Sequence, residues 1–220
     1  MYSRLKIEIA TNLRHLYELG LMPWSSGNIS IREKDYILIK ASGIPYHKVS
    51  WSQTPQRYNK LVVALDMDGN SVEDGGLKPS VDTPIHLGIY RRRPDIRAIV
   101  HTHSTYATAF AAMGSPIPCL TTMQADIFGG DIYCGAAFLD DCDSVAAAIV
   151  ATTLHCPAML LKRHGVFTVG NGIEEAVKAA VLVEEVAKIG FLARQARLSE
   201  PLSGKVIARL HERYQEEYGQ

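Results

Sequence analysis

Short β-type runs that alternate with helical segments constrain the fold of this chain more than any other feature. The runs NISIRE and YILIK, separated by charged residues, predict two early strands. The segment KLVVALDMDGN predicts a third strand that leads into an Asp-Gly turn. Residues 3–19 carry apolar side chains at helical spacing and end at Gly20, so an amphipathic helix opens the protein.

The rest of the chain continues this mixture. VDTPIHLGIYRRRP predicts a helix that ends before Pro94, IRAIVHTH a strand, and STYATAFAAMG a helix closed by Gly114. Further elements are predicted as strands near 117–121, 131–134, 158–162 and 165–169, helices near 143–153, 172–195 and 203–215, and a long loop at 50–60. Strands and helices without a strict repeat indicate a layered α/β sandwich, and 220 residues suit one domain, 1–220.

Composition favours a small-molecule partner. Lys plus Arg equals Asp plus Glu at 23 each, so no net charge attracts nucleic acid or a membrane surface. The N-terminus has no apolar run of signal-peptide length, and no segment approaches the roughly 20 apolar residues that span a bilayer. Four widely spaced cysteines without a C-x-x-C pair indicate a reduced, cytoplasmic protein: Cys119, Cys134, Cys142 and Cys156.

Three histidines form a candidate metal site. His101 and His103 stand at i and i+2 in AIVHTHSTYAT, so a strand would point both side chains to one face. A catalytic zinc site usually takes three protein ligands and leaves one position open. His164, at the end of a predicted strand and followed by Gly165, is the candidate third ligand. Without further context, structural or surface roles for these histidines stay open.

The order of motifs along nearly the whole chain resembles the class II aldolase and adducin family, most closely its sugar-phosphate 4-epimerases. The segments that carry the resemblance are SSGNIS (25–30), IKASGIPY (39–46), KPSVDTPIH (78–86), IVHTHSTYAT (99–108), IPCLTTMQADIFGG (117–130), LLKRHGVFTVGNGIEEAV (160–177), VLVEEVAKIGFLARQ (181–195) and the terminal YGQ. The resemblance implies a three-layer α/β/α sandwich with a mostly antiparallel central sheet. It also implies that His101, His103 and His164 bind a divalent metal, usually Zn²⁺, with Mn²⁺ or Co²⁺ as alternatives.

The resemblance further implies a phosphate pocket. The matching positions, of which the last is presented by a neighbouring subunit, are Gly27, Asn28, Lys40, Ser42, Gly43, Ser80 and Thr122. Glycine turns, small hydroxyls and a lysine supply suitable donors, although SSGN and ASG are by themselves ordinary turns. One position departs from the pattern, because Val81 stands where the family typically has a second serine.

Three further residues match catalytic positions of the family. Asp126 and Tyr218 match the epimerase acid/base pair, each acting on the active site of an adjoining subunit. Asp82 matches an aspartate of the epimerases where fuculose-type aldolases carry glutamate; by its sequence context alone it would be a helix N-cap. Arg209 and Arg213 are both possible matches for a cationic phosphate contact.

The resemblance implies an enzyme that epimerises L-ribulose 5-phosphate to D-xylulose 5-phosphate by breaking and re-forming the C3–C4 bond, as a homotetramer with shared active sites. An aldolase that cleaves a ketose phosphate such as L-fuculose 1-phosphate, or a related carbon–carbon lyase, is the alternative. Adducin-type heads share the fold as binding modules but lack the metal histidines, all of which this chain has.

Overall fold

A computed structural model describes residues 2–49, 51, 60–73, 76–137, 141–196 and 200–218, without the side chains of Ala136 and Tyr218. The helices are α1 (Ser3–Glu18), α2 (Thr83–Arg92), α3 (Thr105–Met113), α4 (Thr122–Phe128), α5 (Cys142–Thr152), α6 (Ile173–Gln195) and α7 (Gly204–Arg213). The strands are β1 (Asn28–Glu33), β2 (Tyr36–Lys40), β3 (Val62–Asp66), β4 (Ala98–Thr102), β5 (Cys134–Ala137), β6 (Ala158–Lys162) and β7 (Gly165–Gly170). A 3₁₀ turn (Tyr46–Lys48) and a terminal π-helical segment (Tyr214–Tyr218) complete the described elements.

The seven strands form one sheet in the order β3-β2-β1-β4-β7-β6-β5. Every neighbouring pair is antiparallel except β5 and β6, which are parallel. Antiparallel neighbours follow directly from short connections, such as the two residues between β1 and β2. The mostly antiparallel sheet that the sequence resemblance implied is confirmed.

Helices cover both faces of the sheet. On β2, Leu38 packs into a core cluster with residues of α1 and α6, whereas Ile37 and Ile39 pack with residues of α2 and α5. This alternation is what strand geometry requires when both faces are buried. The three-layer α/β/α arrangement is therefore confirmed. Among the described helices, none combines the length and the apolar character that crossing a membrane would require.

Two strand predictions were wrong. Residues 117–121 contribute only one isolated bridge, between Ile117 and Ile132, and the predicted strand at 131–134 is replaced by β5, which begins at Cys134. Pro118 has no N–H for a ladder, and the N–H of Cys119 donates to the Asp131 side chain.

Helix α4 was not predicted from the sequence. Within the predicted loop at 50–60, only residues 51 and 60 belong to the described part of the chain.

The sheet topology brings the motif residues to one end of the central strands. β1 begins with Asn28, which pairs with His101 near the end of β4, and the adjacent β2 ends at Lys40. The turn between β6 and β7, which contains His164, lies at the same end because β7 runs antiparallel to β4. Strand ends and turns from five elements therefore converge at this edge.

Candidate active site

His101 is held in one orientation by the strand next to it. Its ring is buried, and its Nδ1 lies 2.8 Å from the carbonyl oxygen of Val166. Because a carbonyl can only accept, Nδ1 carries the proton and Nε2 keeps its lone pair. The cross-strand neighbour Phe167 stacks on the ring with centroids 4.3 Å apart, which fixes the ring plane. A backbone partner of this kind is what orients metal-binding histidines.

The other two histidines point their Nε2 atoms at that of His101. The distance to His101 Nε2 is 3.0 Å from His103 Nε2 and 3.1 Å from His164 Nε2. Ligand atoms of all three residues lie within 4.8 Å of one another. Two nitrogens that share a tetrahedral zinc ion, each roughly 2.0–2.1 Å from it, are about 3.3 Å apart. The triad therefore fits a divalent metal with small adjustments and could hold one.

The surroundings keep these imidazoles neutral, as metal ligands must be. Burial, and then the neighbouring His103 and His164, hold the pKa of His101 well below its usual value. Burial lowers the pKa of His164 to about 4, with His103 acting in the same direction and Asp82 opposing it. Burial also lowers the pKa of His103, against the effect of Asp82. At neutral pH all three rings thus retain a lone pair for coordination.

Two glycines allow the backbone to approach the triad closely. Gly27 has φ +70°, and a Cβ there would lie 2.6 Å from the carbonyl oxygen of His101. A Cβ at Gly165 would lie 2.5 Å from the carbonyl oxygen of Thr102 and 3.2 Å from Cε1 of His101. Larger residues would push apart the segments that carry the ligands. Gly165 therefore permits a close approach of the backbone to the triad.

Asp82 faces the triad rather than its own helix. Although it precedes α2, its side chain makes no capping hydrogen bond. Its Oδ2 instead accepts a 2.6 Å hydrogen bond from Asn28 Nδ2 and lies 3.9 Å from Nε2 of His101. The N-cap interpretation of this side chain was therefore wrong, and the structure places a buried carboxylate beside the histidine nitrogens of the triad.

Ser80 and Lys40 lie next to this carboxylate. Ser80 Oγ is 2.9 Å from Asn28 Nδ2, and its N–H donates to the carbonyl of Lys40. Lys40 is buried; its ammonium donates to the carbonyls of Ser25 and Ala41 and lies over the ring of Tyr46, 5.1 Å from the centroid. Burial lowers the pKa of Lys40 to about 8, against the effect of Asp82. Donors predicted for a phosphate thus lie close to the triad.

The remaining pocket positions lie at the same edge but are open to solvent. Ser42 and Gly43 are exposed, and the Ser42 N–H donates to the carbonyl of Lys78, which ties this turn to the segment before α2. Gly43 has φ +71°, as a tight turn requires. Val81, between the buried Ser80 and Asp82, is 75% exposed.

The residues expected to serve a neighbouring subunit lie on other elements. Thr122 is exposed at the start of α4, and Asp126 lies further along this helix, where its carbonyl accepts a hydrogen bond from His211 of α7. Arg209 and Arg213 are exposed on α7, so the choice between them stays open. The Tyr218 side chain lies outside the described part of the structure.

A buried polar ladder behind the triad was missed in the sequence. Asn28 contacts Asp82, and two residues on, Ser30 Oγ lies 2.7 Å from both Nδ1 of His86 and the hydroxyl of Tyr90. Alternate residues of β1 thus meet every fourth residue of α2. The sequence signal was a polar residue at every second position of β1 together with a polar residue at every fourth position from Asp82 to Tyr90. Burial lowers the pKa of His86 to about 3, so this ring is neutral.

Comparisons with known proteins show the family to which the chain belongs. The family model described as Class II Aldolase and Adducin N-terminal domain matches residues 7–191. An L-ribulose-5-phosphate 4-epimerase UlaF from Salmonella paratyphi C (strain RKS4594) is 37% identical over 205 residues, which cover 87% of this chain and 86% of that protein. A solved L-fuculose 1-phosphate aldolase matches with a TM-score of 0.85 at 28% identity and covers 98% of both chains. The L-fuculose-1-phosphate aldolase from Thermus thermophilus matches with a TM-score of 0.72 at 26% identity, over 90% of this chain and 98% of that one. The chain belongs to the class II aldolase and adducin family.

Proposed function

We propose that this chain is a zinc-dependent L-ribulose-5-phosphate 4-epimerase that forms D-xylulose 5-phosphate. The main support is the 37% identity, over most of both chains, to a protein of that name. The three converging imidazoles add support, because they provide the metal ligands that a binding module without chemistry would not need. Sugar-phosphate enzymes among the relatives also agree with a small-molecule substrate.

The histidine triad would hold Zn²⁺, with Mn²⁺ or Co²⁺ as alternatives. A bound ion would supply Lewis-acid polarisation of substrate oxygens. The chain contributes three neutral imidazoles, one of them fixed through Val166, so no ligand charge offsets that of the ion. Asp82, held by Asn28, would place a carboxylate beside His101 and close to a bound substrate.

The phosphate of the substrate would bind where Lys40, Ser80 and the glycine turns meet. The Lys40 ammonium is buried, and among the described residues its hydrogen bonds go to carbonyl oxygens. Burial lowers its pKa, so a phosphate dianion nearby would stabilise the protonated form. The Ser80 hydroxyl and backbone N–H groups near Gly27 and Gly43 would complete the pocket. The exposed Val81 leaves this pocket with one hydroxyl fewer than a second serine would give it.

Inversion at C4 would proceed by cleavage and re-formation of the C3–C4 bond, because the C4 hydrogen is not acidic. One of Asp126 and Tyr218 would remove the proton of the C4 hydroxyl as the C3–C4 bond breaks, which leaves the electron pair of that bond on the C1–C3 fragment as an enediolate and forms glycolaldehyde phosphate. After the aldehyde turns over, the enediolate would re-form the C3–C4 bond on the other face of the aldehyde, and the other group would protonate the new C4 alkoxide. Two faces therefore require two groups.

Asp126, Tyr218 and Thr122 would reach the active site of an adjoining subunit. Asp126 lies on α4 in contact with α7, whereas the triad lies at the ends of the central strands, an arrangement that suits action across an interface. A closed ring of identical subunits lets every site receive these groups, and we propose a homotetramer. Cytoplasmic localisation remains a prediction from the cysteine pattern.

An aldolase acting on L-fuculose 1-phosphate is the second candidate function. Its support is the match to a solved enzyme of that name, with a TM-score of 0.85 over 98% of both chains. The side chain at position 82 favours the epimerase, because an aspartate held by Asn28 extends one methylene less toward a substrate than the glutamate of fuculose-type aldolases would.

A comparison of two substrates tests the proposed function. With zinc present, we expect the protein to convert L-ribulose 5-phosphate to D-xylulose 5-phosphate and to release little dihydroxyacetone phosphate from L-fuculose 1-phosphate. The measurement is coupled-enzyme detection of each product at matched substrate concentrations. Rapid release of dihydroxyacetone phosphate without any xylulose 5-phosphate would replace the epimerase by the aldolase.

A further inference from the structure

The helix that follows the metal-binding pair begins without help from its own cap residue. His103 lies between the end of β4 and the start of α3, and Ser104 occupies the N-cap position. The Ser104 side chain makes no capping hydrogen bond, and its buried hydroxyl has no partner among the described residues. The first N–H groups of a helix need an acceptor from outside the helix, so another group must supply it.

Glu184 of α6 supplies that acceptor. Its Oε1 accepts from the N–H of Tyr106 and its Oε2 from the N–H of Ala107, both at 2.9 Å. These are the second and third residues of α3, the usual partners of a capping side chain. A carboxylate at this place also interacts favourably with the positive end of the helix dipole. The start of α3 is thus held by a residue 77 or 78 positions away in the chain.

The position of Glu184 is fixed by packing that also reaches the triad. Its neighbours Val183 and Ala187 are buried in the core cluster that contains Ala107 and Val166. The carbonyl of Val166 is the one that orients His101. A single rigid helix therefore contacts both the strand that orients one ligand and the helix that follows another.

The position of His103 is less constrained by the sheet than that of His101, because His103 follows the end of β4 and precedes α3. The pairing of β4 with β1 ends at His101, and its pairing with β7 ends at Thr102, one residue before His103. Within the described part of the chain, the N–H of His103 makes one backbone hydrogen bond, of 3.3 Å, to the carbonyl of Leu21. The start of α3, two residues later, is therefore a nearby anchor for the backbone of His103.

We propose that Glu184 is a positioning residue for the His103 imidazole, an inference that rests on the metal centre of the proposed function. By fixing the first turn of α3, the carboxylate holds His103 Nε2 at the point where the other two Nε2 atoms converge. Loss of that cap frees the ligand to move and weakens metal binding. A cap with only a structural role would lower stability equally with and without metal and leave metal affinity unchanged.

The test compares Glu184→Gln with Glu185→Gln. The glutamine introduced at position 184 retains one oxygen acceptor, so the fold is kept while one charge-assisted bond is lost. Glu185 is exposed on the same helix, so its replacement makes the same charge change one residue away without touching α3. The readouts are Zn²⁺ affinity, from competition with a chromogenic chelator, and thermal unfolding of the metal-free protein.

We expect Glu184→Gln to lower Zn²⁺ affinity about 10-fold or more, as for outer residues that orient metal ligands, and Glu185→Gln to change it less than about 2-fold. Ser104 could take over the cap when the carboxylate is gone. The double variant Ser104→Ala/Glu184→Gln removes that rescue and is expected to lose more, whereas Ser104→Ala alone should match the wild type.

Wild-type Zn²⁺ affinity in the double variant would overturn the role of Glu184, as would an equal loss in Glu185→Gln, which would indicate a charge effect alone. Because no sugar phosphate enters this measurement, a failure of the epimerase assignment leaves it unaffected. Wild-type protein that binds no Zn²⁺ would contradict the metal centre, and the positioning role with it.

Discussion

Replacing His103 by asparagine is expected to abolish metal binding and turnover while the fold stays intact. The change removes one of three converging Nε2 atoms and leaves a shorter polar side chain. Affinity for Zn²⁺ should fall by more than about 100-fold, because even outer residues around a metal are worth roughly 10–100-fold. His103 is only half-buried, so the free energy of unfolding of the metal-free protein should change by no more than about 1 kcal/mol.

His155→Asn is the matched control, since this histidine is exposed on the connection between α5 and β6. The measurements are metal content after purification and the rise in melting temperature on addition of Zn²⁺, which reports binding to the folded state. Wild-type and His155→Asn protein should both show the rise, and His103→Asn should not. Stoichiometric zinc in His103→Asn protein would refute the assignment of the triad.

Tyr218→Phe is expected to lower kcat by on the order of 10²- to 10⁴-fold, the usual contribution of a positioned acid or base. The change deletes one hydroxyl and leaves the ring, so metal content should not change. If Tyr218 has no catalytic role, the free energy of unfolding should change by no more than about 0.5 kcal/mol and activity should persist. Steady-state kinetics with L-ribulose 5-phosphate separate these outcomes.

Tyr214→Phe makes the same substitution in the same π-helical segment, at a hydroxyl that lies 3.1 Å from Lys178 Nζ. This control should keep its turnover. Co-assembly of inactive His103→Asn subunits with inactive Tyr218→Phe subunits should restore part of the activity, because some sites then receive both intact groups. A mixture that exchanges subunits and stays inactive would mean that each subunit uses its own tyrosine.

The His-Thr-His segment at the end of β4 shows what periodicity alone could predict. Strand alternation predicted that His101 and His103 share one face, and although β4 ends at Thr102, their Nε2 atoms are 3.0 Å apart. No spacing rule linked His164 to this pair, because it lies 63 positions after His101 and the pairing of β4 with β7 brings the two segments together. Its place at a strand end before Gly165 made it a candidate, and the order of motifs along the chain supported that choice.

Local signals failed where a long-range partner replaced a short-range one. Asp82 has the sequence context of a cap, yet Asn28 from β1 takes its carboxylate. Ser104 has the same context, and a glutamate from α6 replaces it as the acceptor for α3. In both cases the competing group is distant in the chain, so a sequence window could not reveal it.

Helix α4 was missed for a different reason. At seven residues it is too short for a clear period, and its cap is formed by Thr121, whose side chain accepts from the N–H of Gln124. The helix ends at Gly129 with φ +66°. A threonine cap and a glycine stop were readable signals, but they bracket only two turns.

We propose that the three histidines hold the catalytic metal of a sugar-phosphate epimerase. Metal-free protein titrated with Zn²⁺, Mn²⁺ or Co²⁺ while D-xylulose 5-phosphate formation from L-ribulose 5-phosphate is followed tests it most directly. We expect no turnover without metal and a rise to a plateau at one ion per chain. Protein that binds no divalent ion and stays inactive with all three metals, or that turns over fully without metal, would contradict it.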